Sequence, residues 1–255
     1  MEVAELMKPP AKRDEAGSSL AALQDEITNC FRCPRLVEWR ERVAREKVRR
    51  FAGEEYWGRP VPSFGDPEAR LLIIGLAPAA HGGNRTGRMF TGDRSGDWLY
   101  RALFRAGFAN QPTAVKRGDG LALKDCYISA VIHCAPPDNK PLPQEIINCR
   151  PYLSRELELL KRIRVVVALG RLAFDEATRL IGLDDQSTGE GGKPRPRPAR
   201  PKFGHGAEYV LKGGVILIAS FHPSQQNTFT GKLTEPMLDQ VFMRAKELTE
   251  LYSAR

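Results

Sequence analysis

The sequence predicts an α/β protein: a three-layer α/β/α sandwich around a four-stranded parallel sheet. One observation behind this prediction is a set of four apolar, β-branched runs of strand length, which are too continuously apolar for a sheet with one face in water. These runs are residues 71–74, 127–132, 165–169 and 215–220. The other observation is that helical patterns lie between the runs, and this alternation is typical of parallel strands joined by right-handed crossovers.

The helical segments are recognised by apolar spacing near 3.6 residues and by their end signals. Residues 97–107 end at a glycine, and residues 151–163 open with proline and carry Leu153, Leu157 and Leu160 on one face. Further segments of this kind are residues 171–181 and 235–252, and residues 20–50 also look helical. Each helix can therefore cover one face of the sheet.

Length and composition limit the classes of function. The 255 residues include 42% hydrophobic ones, an ordinary share for a globular protein with a substantial core. No run approaches the ~18 to 20 apolar residues of a membrane span, and residues 1–19 carry acids where a signal peptide would be apolar. We therefore expect no membrane partner, a cytoplasmic location, a disordered segment at residues 1–19 and a single domain over residues 20–255.

The formal net charge of +8 favours a polyanionic partner, because clustered Lys and Arg release counterions from a phosphate backbone. Residues 184–206 read as a basic, Pro-rich insertion, within which residues 193–202 hold five cations, four prolines and no acid. This composition predicts an extended, polyproline-like arm along a nucleic-acid strand, with an inert solubilising insertion as the alternative. Residues 45–50 form a second basic stretch, for which a solvated helix face is the alternative.

Polar loops rich in Gly and Pro follow three of the predicted strands, at the sheet edge where open parallel sheets bind ligands. They are residues 75–96, 133–141 and 221–227. The first loop has neither GxxxxGK[ST] nor a GxGxxG turn, which disfavours a mononucleotide cofactor. Phe90 in this loop is a candidate stacking platform for a base, or alternatively a plug beneath the loop. His222 is a candidate donor to a developing anion, or alternatively a satisfied structural histidine.

The five cysteines point to metal ligation or burial, because their number is odd and the chain lacks an export signal. Cys30 and Cys33 form C-x2-C, whereas Cys134 and Cys149 form C-x14-C. This asymmetric spacing argues mildly against zinc and fits an all-cysteine iron–sulfur cluster better. Cys126 is excluded from the set, since eight strand steps of ~3.3 Å put it about 26 Å from Cys134. Unrelated buried cysteines are the alternative.

Four features together resemble the uracil-DNA glycosylase superfamily, and most closely its family 5, also called type B. These features are GLAPAAHGGNRTGRMFTGDRSG, HCAPPDNKP, FHPSQQNT and the four cysteines Cys30, Cys33, Cys134 and Cys149. The resemblance implies a uracil-DNA glycosylase-like fold with a [4Fe-4S] cluster on those cysteines. It implies a monofunctional glycosylase of base excision repair that flips uracil, and also hypoxanthine, out of double-stranded DNA. We expect a monomer associated with the nucleoid.

The same resemblance implies roles for single residues. Phe90 would stack on the extruded base, Asn139 would read its edge, and His222 would support the departing base anion. The rest of the predicted substrate site consists of Gly75, Ala77 and Ser224. An iron–sulfur protein that binds damaged DNA without turnover is the alternative function.

Asp93 is the predicted catalytic carboxylate. It lies in GDRSG, residues 92–96, and could stabilise an oxocarbenium-like sugar or orient a water molecule. Residues 77–79, Ala-Pro-Ala, stand where other branches of the superfamily have an acid or amide, so water activation falls to another residue. The alternative role of Asp93 is to cap the helix that follows. The reserve candidates are Asp138, Asn84 and His81.

Overall fold

The computed structural model describes residues 12–183 and 201–251. Within them the strands are β1 (Phe64–Gly65), β2 (Leu71–Gly75), β3 (Cys126–Ala130), β4 (Val165–Leu169), β5 (Glu208–Val210) and β6 (Ile216–Ser220). They form one sheet in the order β1-β3-β2-β4-β6-β5, and the four inner strands are parallel. These inner strands coincide with the four predicted runs to within two residues. The prediction of a four-stranded parallel core is therefore confirmed.

Two short strands extend this core at its edges. β1 pairs antiparallel with β3, and β5 pairs antiparallel with β6. The sequence did not predict them, because β1 has two residues and both outer positions of β5 are exposed. Such segments carry too little apolar signal to be recognised as strands.

The helices cover both faces of the sheet. They are α1 (Lys12–Thr28), α2 (Pro34–Glu46), α3 (Gly83–Thr86), α4 (Arg94–Arg105), α5 (Pro143–Leu159), α6 (Arg171–Ile181), α7 (Gln225–Phe229) and α8 (Glu235–Leu251). Successive side chains of a strand point to opposite faces, so Leu71 and Ile73 of β2 join the cluster that contains α4 and α8. Leu72 and Ile74 join the cluster that contains α5 and α6. This is the predicted three-layer sandwich.

The start of α5 differs from the prediction. The helix begins at Pro143, and Pro151, which was expected to open it, lies in its interior. Pro143 occupies the first turn, where its missing N–H is not needed, and the Glu145 carboxylate accepts from the Leu142 amide at 2.7 Å. Pro151 removes one backbone hydrogen bond inside the helix, a cost that packing of the buried Leu153 offsets.

The N-terminal and inserted segments are described only in part. α1 begins at Lys12, inside the segment 1–19 that was expected to be disordered, and residues 1–11 lie outside the described part. The predicted basic arm, residues 193–202, also lies outside it except for its last two residues. In the described ranges, no helix has the length and apolar character needed to cross a bilayer.

Candidate active site and cysteine pocket

A cleft of about 810 Å³ opens at the carboxyl edge of the parallel strands. Its walls come from the loops that follow β2, β3 and β6, together with α2 and residues 50–54. Of the predicted site residues, Asp93 and Asn139 line this cleft, as does the reserve candidate His81. The edge predicted to bind the ligand therefore carries a large cavity.

Asp93 caps α4 and also lines the cleft, so the alternative role as a cap is observed and the catalytic role stays a prediction. Its Oδ1 accepts a hydrogen bond from the Gly96 amide at 2.9 Å, which is the geometry of an N-cap. Its Oδ2 lies against Gly82, where an added methyl group would stand 2.0 Å away. Burial raises the pKa of Asp93, while the amides of Gly96 and Ser95 act in the opposite direction. The carboxylate is thus fixed in place and partly shielded from water.

Phe90 is buried beneath the loop after β2. Its side chain is 8% exposed, and its ring lies so close to Gly75 that an added methyl group there would be 2.8 Å from two ring carbons. The backbone of Phe90 has a positive φ of 51°. If a methyl group were added to Gly96, it would lie only 1.8 Å from the Phe90 carbonyl oxygen. Gly75 and Gly96 are therefore required for the close approach of this residue. The plug role is observed, and stacking on a base stays a prediction.

His222 lies beside Phe90, with 5.9 Å between the ring centroids. Burial lowers the pKa of His222 to about 4, so the imidazole is neutral near pH 7 and keeps one N–H donor. No described residue forms a hydrogen bond with the ring, and donation to a base anion stays a prediction because His222 is not among the residues that line the cleft. The His222 carbonyl accepts from Asn227 Nδ2 at 2.9 Å, which fixes the loop.

Ser224 has a local structural contact. Its hydroxyl accepts from the Asn227 amide at 3.4 Å, and Ser224 is the N-cap of α7. The next residue, Gln225, lines the cleft instead. A contact between Ser224 and substrate therefore stays a prediction, and Gln225 is a wall residue that the sequence did not reveal.

Of the two remaining predicted substrate-binding residues, Asn139 lines the cleft and Ala77 does not. Asn139 is exposed on the cleft wall with a φ of +55°, next to Asp138 with a φ of +53°. Asn and Asp tolerate this left-handed conformation better than most residues. Ala77 packs against the apolar cluster on the α5 and α6 side of the sheet. The structure therefore brings Asn139 to the same cavity as Asp93, but not Ala77.

Arginine–aromatic pairs surround the cleft. The guanidinium of Arg50 lies 4.5 Å from the Phe51 ring centroid, and that of Arg94 lies 4.4 Å from the centroid of the exposed Phe229. Arg50, Phe51 and Arg94 line the cleft. Stacking holds these cations at its rim, where they can meet phosphates. Arg50 belongs to the basic stretch 45–50 singled out in the sequence, whereas no sequence pattern pointed to Arg94 as a cation at the rim.

The four candidate metal-binding cysteines line one small pocket. Cys30 lies between α1 and α2, Cys33 is the N-cap of α2, Cys134 follows β3, and Cys149 is in α5. Cys126 is fully buried at the start of β3 and does not line this pocket, as expected. Residues more than 100 positions apart are thus brought together by the fold.

Arg40 supplies a buried positive charge to this pocket. Its side chain is 1% exposed, and Nη1 lies 3.1 Å from Cys134 Sγ and 3.2 Å from the carbonyl oxygen of Cys30. Its Nε is buried without a hydrogen-bond partner, and no carboxylate among the described residues forms an ion pair with it. A buried cation without an anion is costly, so the pocket suits an anionic group.

Among the described residues, the four cysteine thiols share one pocket without forming a tight single-ion site. Burial raises the pKa of Cys134 to about 11 and also raises the pKa values of Cys33 and Cys149. In the described part of the chain, no three His, Cys, Asp or Glu side chains converge tightly enough to hold one metal ion. A cluster held by the four thiols therefore stays a prediction, which rests on their shared pocket and on the preference of iron–sulfur clusters for cysteine ligands.

Comparison with known proteins identifies the family. A family model described as the uracil DNA glycosylase superfamily matches residues 62–246. The chain belongs to this superfamily. The match includes the three loops that form the cleft, and it confirms the family and the fold expected from the motifs quoted above.

The curated relatives of this superfamily member include type-5 and type-4 enzymes. A type-5 uracil-DNA glycosylase from Mycobacterium tuberculosis is 52% identical over 231 residues, which cover 90% of this chain and 82% of that protein. One from Thermus thermophilus is 49% identical over 230 residues, covering 90% and 98%. A type-4 uracil-DNA glycosylase from Pyrobaculum aerophilum is 30% identical over 172 residues, covering 67% and 70%. The similarity to type-5 proteins thus spans nearly the whole chain.

Proposed function

We propose that this protein is a monofunctional uracil-DNA glycosylase, which hydrolyses the bond between uracil and deoxyribose in DNA as a step of base excision repair. The observation that carries the proposal is the cleft in which Asp93 and Asn139 meet, in a chain about half identical to type-5 uracil-DNA glycosylases. A base inside a duplex cannot reach such a cleft, so the nucleotide must be flipped out of the stack.

The reaction breaks the bond between C1′ and the base nitrogen, and the base leaves with the electron pair. Asp93 faces the cationic sugar or the water whose oxygen adds to C1′, and the proton released by that water passes to the carboxylate or to solvent. His222 is neutral and donates a hydrogen bond to the base anion. Asn139 binds the edge of the base, and Phe90 forms the support below it.

DNA is held by the rim of the cleft. Arg50 and Arg94, each stacked on an aromatic ring, contact phosphates on either side of the extruded nucleotide. The exposed Phe229 next to Arg94 faces the opened base stack. The net charge of +8 supports this arrangement.

Cys30, Cys33, Cys134 and Cys149 hold a [4Fe-4S] cluster in this proposal. The fit rests on four thiols around one pocket and on the buried guanidinium of Arg40, which has no carboxylate partner among the described residues and would match an anionic cluster. When bound, the cluster cross-links the ends of α1 and α2 to α5 and the loop after β3. It has a structural role, since hydrolysis needs no electron transfer.

The substrate range extends to hypoxanthine. A cleft of about 810 Å³ has the volume to hold a purine as well as a pyrimidine. Mispaired lesions are favoured, because extrusion costs a few kcal/mol and least where pairing is already weak. A monomeric state and association with the nucleoid stay predictions.

The test is release of uracil from a labelled duplex by the purified, iron-loaded protein, with abasic sites revealed by alkaline cleavage. We expect multiple turnovers on uracil and measurable turnover on hypoxanthine. Tight binding without cleavage of either base would instead favour the alternative, an iron–sulfur protein that binds damaged DNA. Brown protein with about four irons per chain is expected, whereas colourless protein with stoichiometric zinc would overturn the cluster assignment.

A further inference from the structure

Arg85 is a buried cation in the wall of the cleft that the proposed reaction does not use. Its side chain is 7% exposed, and every part of its guanidinium has a partner. Nε donates to the carbonyl of His81 and Nη2 to the carbonyl of Gly92, both at 2.8 Å, and Nη1 binds the carboxylate of Glu54. The guanidinium also stacks on Phe51, 3.8 Å from the ring centroid. These contacts hold the side chain in one orientation.

The contact with Gly92 leads directly to Asp93. The Gly92 backbone approaches Arg85 so closely that an added methyl group would lie 2.3 Å from Nη2. Gly92 precedes Asp93, and the carboxylate of Asp93 lies against Gly82, the N-cap of the helix α3 that contains Arg85. The guanidinium therefore joins the segment carrying the carboxylate to α3.

We infer that Arg85 is a positioning residue: it clamps the peptide between Gly92 and Asp93 onto α3 and so fixes where the carboxylate meets the sugar. This inference rests on the proposed catalytic role of Asp93. The side chain is too deeply buried and too fully paired to act as a free phosphate contact, since its hydrogen-bonding groups already face His81, Gly92 and Glu54.

The charge of Arg85 acts on Asp93 as well. Arg85 favours the ionised carboxylate, whereas burial and Asp97 disfavour it. The other titratable or charged groups around the cleft are Arg50, Glu54, His81, Arg94 and Asp138. Burial and Arg85 lower the pKa of His81, which therefore adds no charge near pH 7. Loss of the Arg85 cation thus raises the pKa of Asp93 further.

The experiment compares Arg85→Met and Arg85→Lys with the wild-type holoprotein. In single-turnover release of uracil, we expect Arg85→Met to lower the rate by roughly 10- to 100-fold, with nearly unchanged affinity for the duplex. The acid limb of its pH–rate profile should move to higher pH. Arg85→Lys should restore the position of that limb but not the full rate, because one ammonium group cannot satisfy the same acceptors.

The matched control is Arg101→Met on α4, where Arg101 is an exposed arginine paired with Glu235 at 3.2 Å. We expect it to keep the wild-type rate and profile. An Arg85→Met enzyme with wild-type rate and profile would overturn the inference. The inference would also be overturned if Arg85→Met bound the duplex more weakly and its plot of log K against log salt were less steep by about one. That result would show that Arg85 contacts a phosphate.

Two further readouts separate this inference from the proposed function and from misfolding. Amide hydrogen exchange over residues 92–97 should be faster in Arg85→Met than in wild type, whether or not the protein releases uracil; unchanged exchange would count against the clamp. If Arg85→Met does not fold, Glu54→Gln serves instead. It removes a negative charge from the half-exposed partner of Arg85, so the acid limb should move to lower pH, and a shift to higher pH would contradict the charge argument.

Discussion

At the residue scale, the observed capping role of Asp93 and its proposed catalytic role can be separated by substitution. Asn keeps an oxygen that caps α4 but carries no charge, whereas Ala removes both functions. We expect Asp93→Asn to lower the single-turnover rate by about 10² or more while leaving the free energy of unfolding near that of wild type. Asp93→Ala should show the same loss of rate and also unfold with about 1 kcal/mol less stability.

Uracil release and urea unfolding of the same preparations measure these two effects. The matched control is Asp97→Asn in the first turn of α4, which changes a carboxylate near the same helix end. It should affect the rate far less than Asp93→Asn. Equal rates for wild type and Asp93→Asn would show that the carboxylate only caps the helix.

His222 makes stability depend on pH in a defined window. The pKa of this residue is about 4 in the folded protein, whereas an unfolded histidine titrates near 6.5. The unfolded state therefore binds more protons between these values, and folding stability falls as pH drops from about 6.5 towards 4. The stability that disappears between pH 7 and pH 5 is about 2 kcal/mol.

Urea unfolding of wild type and His222→Gln at pH 7 and pH 5 measures this change. We expect the stability of the variant to fall less on acidification than that of wild type, because Gln does not titrate. Parallel decreases in the two proteins would mean that His222 is not held neutral by burial.

Single positions also show what the sequence could and could not predict. The resemblance carried by the motifs pointed to Asp93, Asn139 and His222, and the structure places Asp93 and Asn139 on the cleft wall, while the roles of all three stay predictions. The burial of Phe90 against Gly75 and the capping role of Ser224 were not decided, since both depend on how loops pack in three dimensions. Arg85 gave no signal, because nothing in the local sequence tells a buried arginine from a solvated one.

At the element scale, α2 links the cysteine pocket to the cleft. Neighbouring residues of this helix face different cavities: Trp39 lines the cleft, and Arg40 lines the cysteine pocket. The Arg40 carbonyl also accepts from Asn84 of α3 at 3.2 Å. A group that fixes the start of α2 at Cys33 therefore also orders the wall of the cleft.

Arg40→Met tests the electrostatic part of this arrangement. Removing the buried cation should lower the reduction potential of the proposed cluster, because the more negative reduced state is left without its counter-ion. Iron should also be removed faster by a chelator. Arg42→Met, at an exposed position of the same helix, is the control and should match wild type in iron content and potential. Equal potentials in Arg40→Met and wild type would contradict the assigned role.

The predicted elements succeeded where apolar periodicity was strong. The inner strands were predicted to within two residues because each is buried and apolar over most of its length. The bounds of α6 were also predicted, because its apolar residues recur at helical spacing and bury one face. The start of α5 was misplaced, since a proline inside a helix has the same sequence signature as a proline that opens one. The edge strands were missed because hydrogen bonding to a neighbouring strand, rather than apolar content, defines them.

At the scale of the whole molecule, the segment 193–202 concentrates positive charge without any acid to balance it. Residues 193–202 contribute five cations and no acid to the net charge of +8, so replacing those cations with Gln leaves +8 − 5 = +3. If this segment follows the DNA backbone, the replacement should weaken binding to the duplex. The plot of log K against log salt should also become less steep, by about 0.9 for each phosphate that the protein no longer neutralises.

Binding of an uncleavable duplex at several salt concentrations gives that slope, and single-turnover kinetics at saturating protein gives the rate of base release. We expect the slope to fall and the rate to stay unchanged, because the cleft and its carboxylate are not altered. Arg94→Gln at the rim is the matched control: it removes one cation that faces a phosphate, so its slope should fall by about one. The opposite result would be a segment variant that keeps the wild-type salt dependence of binding while Arg94→Gln shows a weaker one. The segment would then take no part in DNA binding, which would depend on the rim of the cleft.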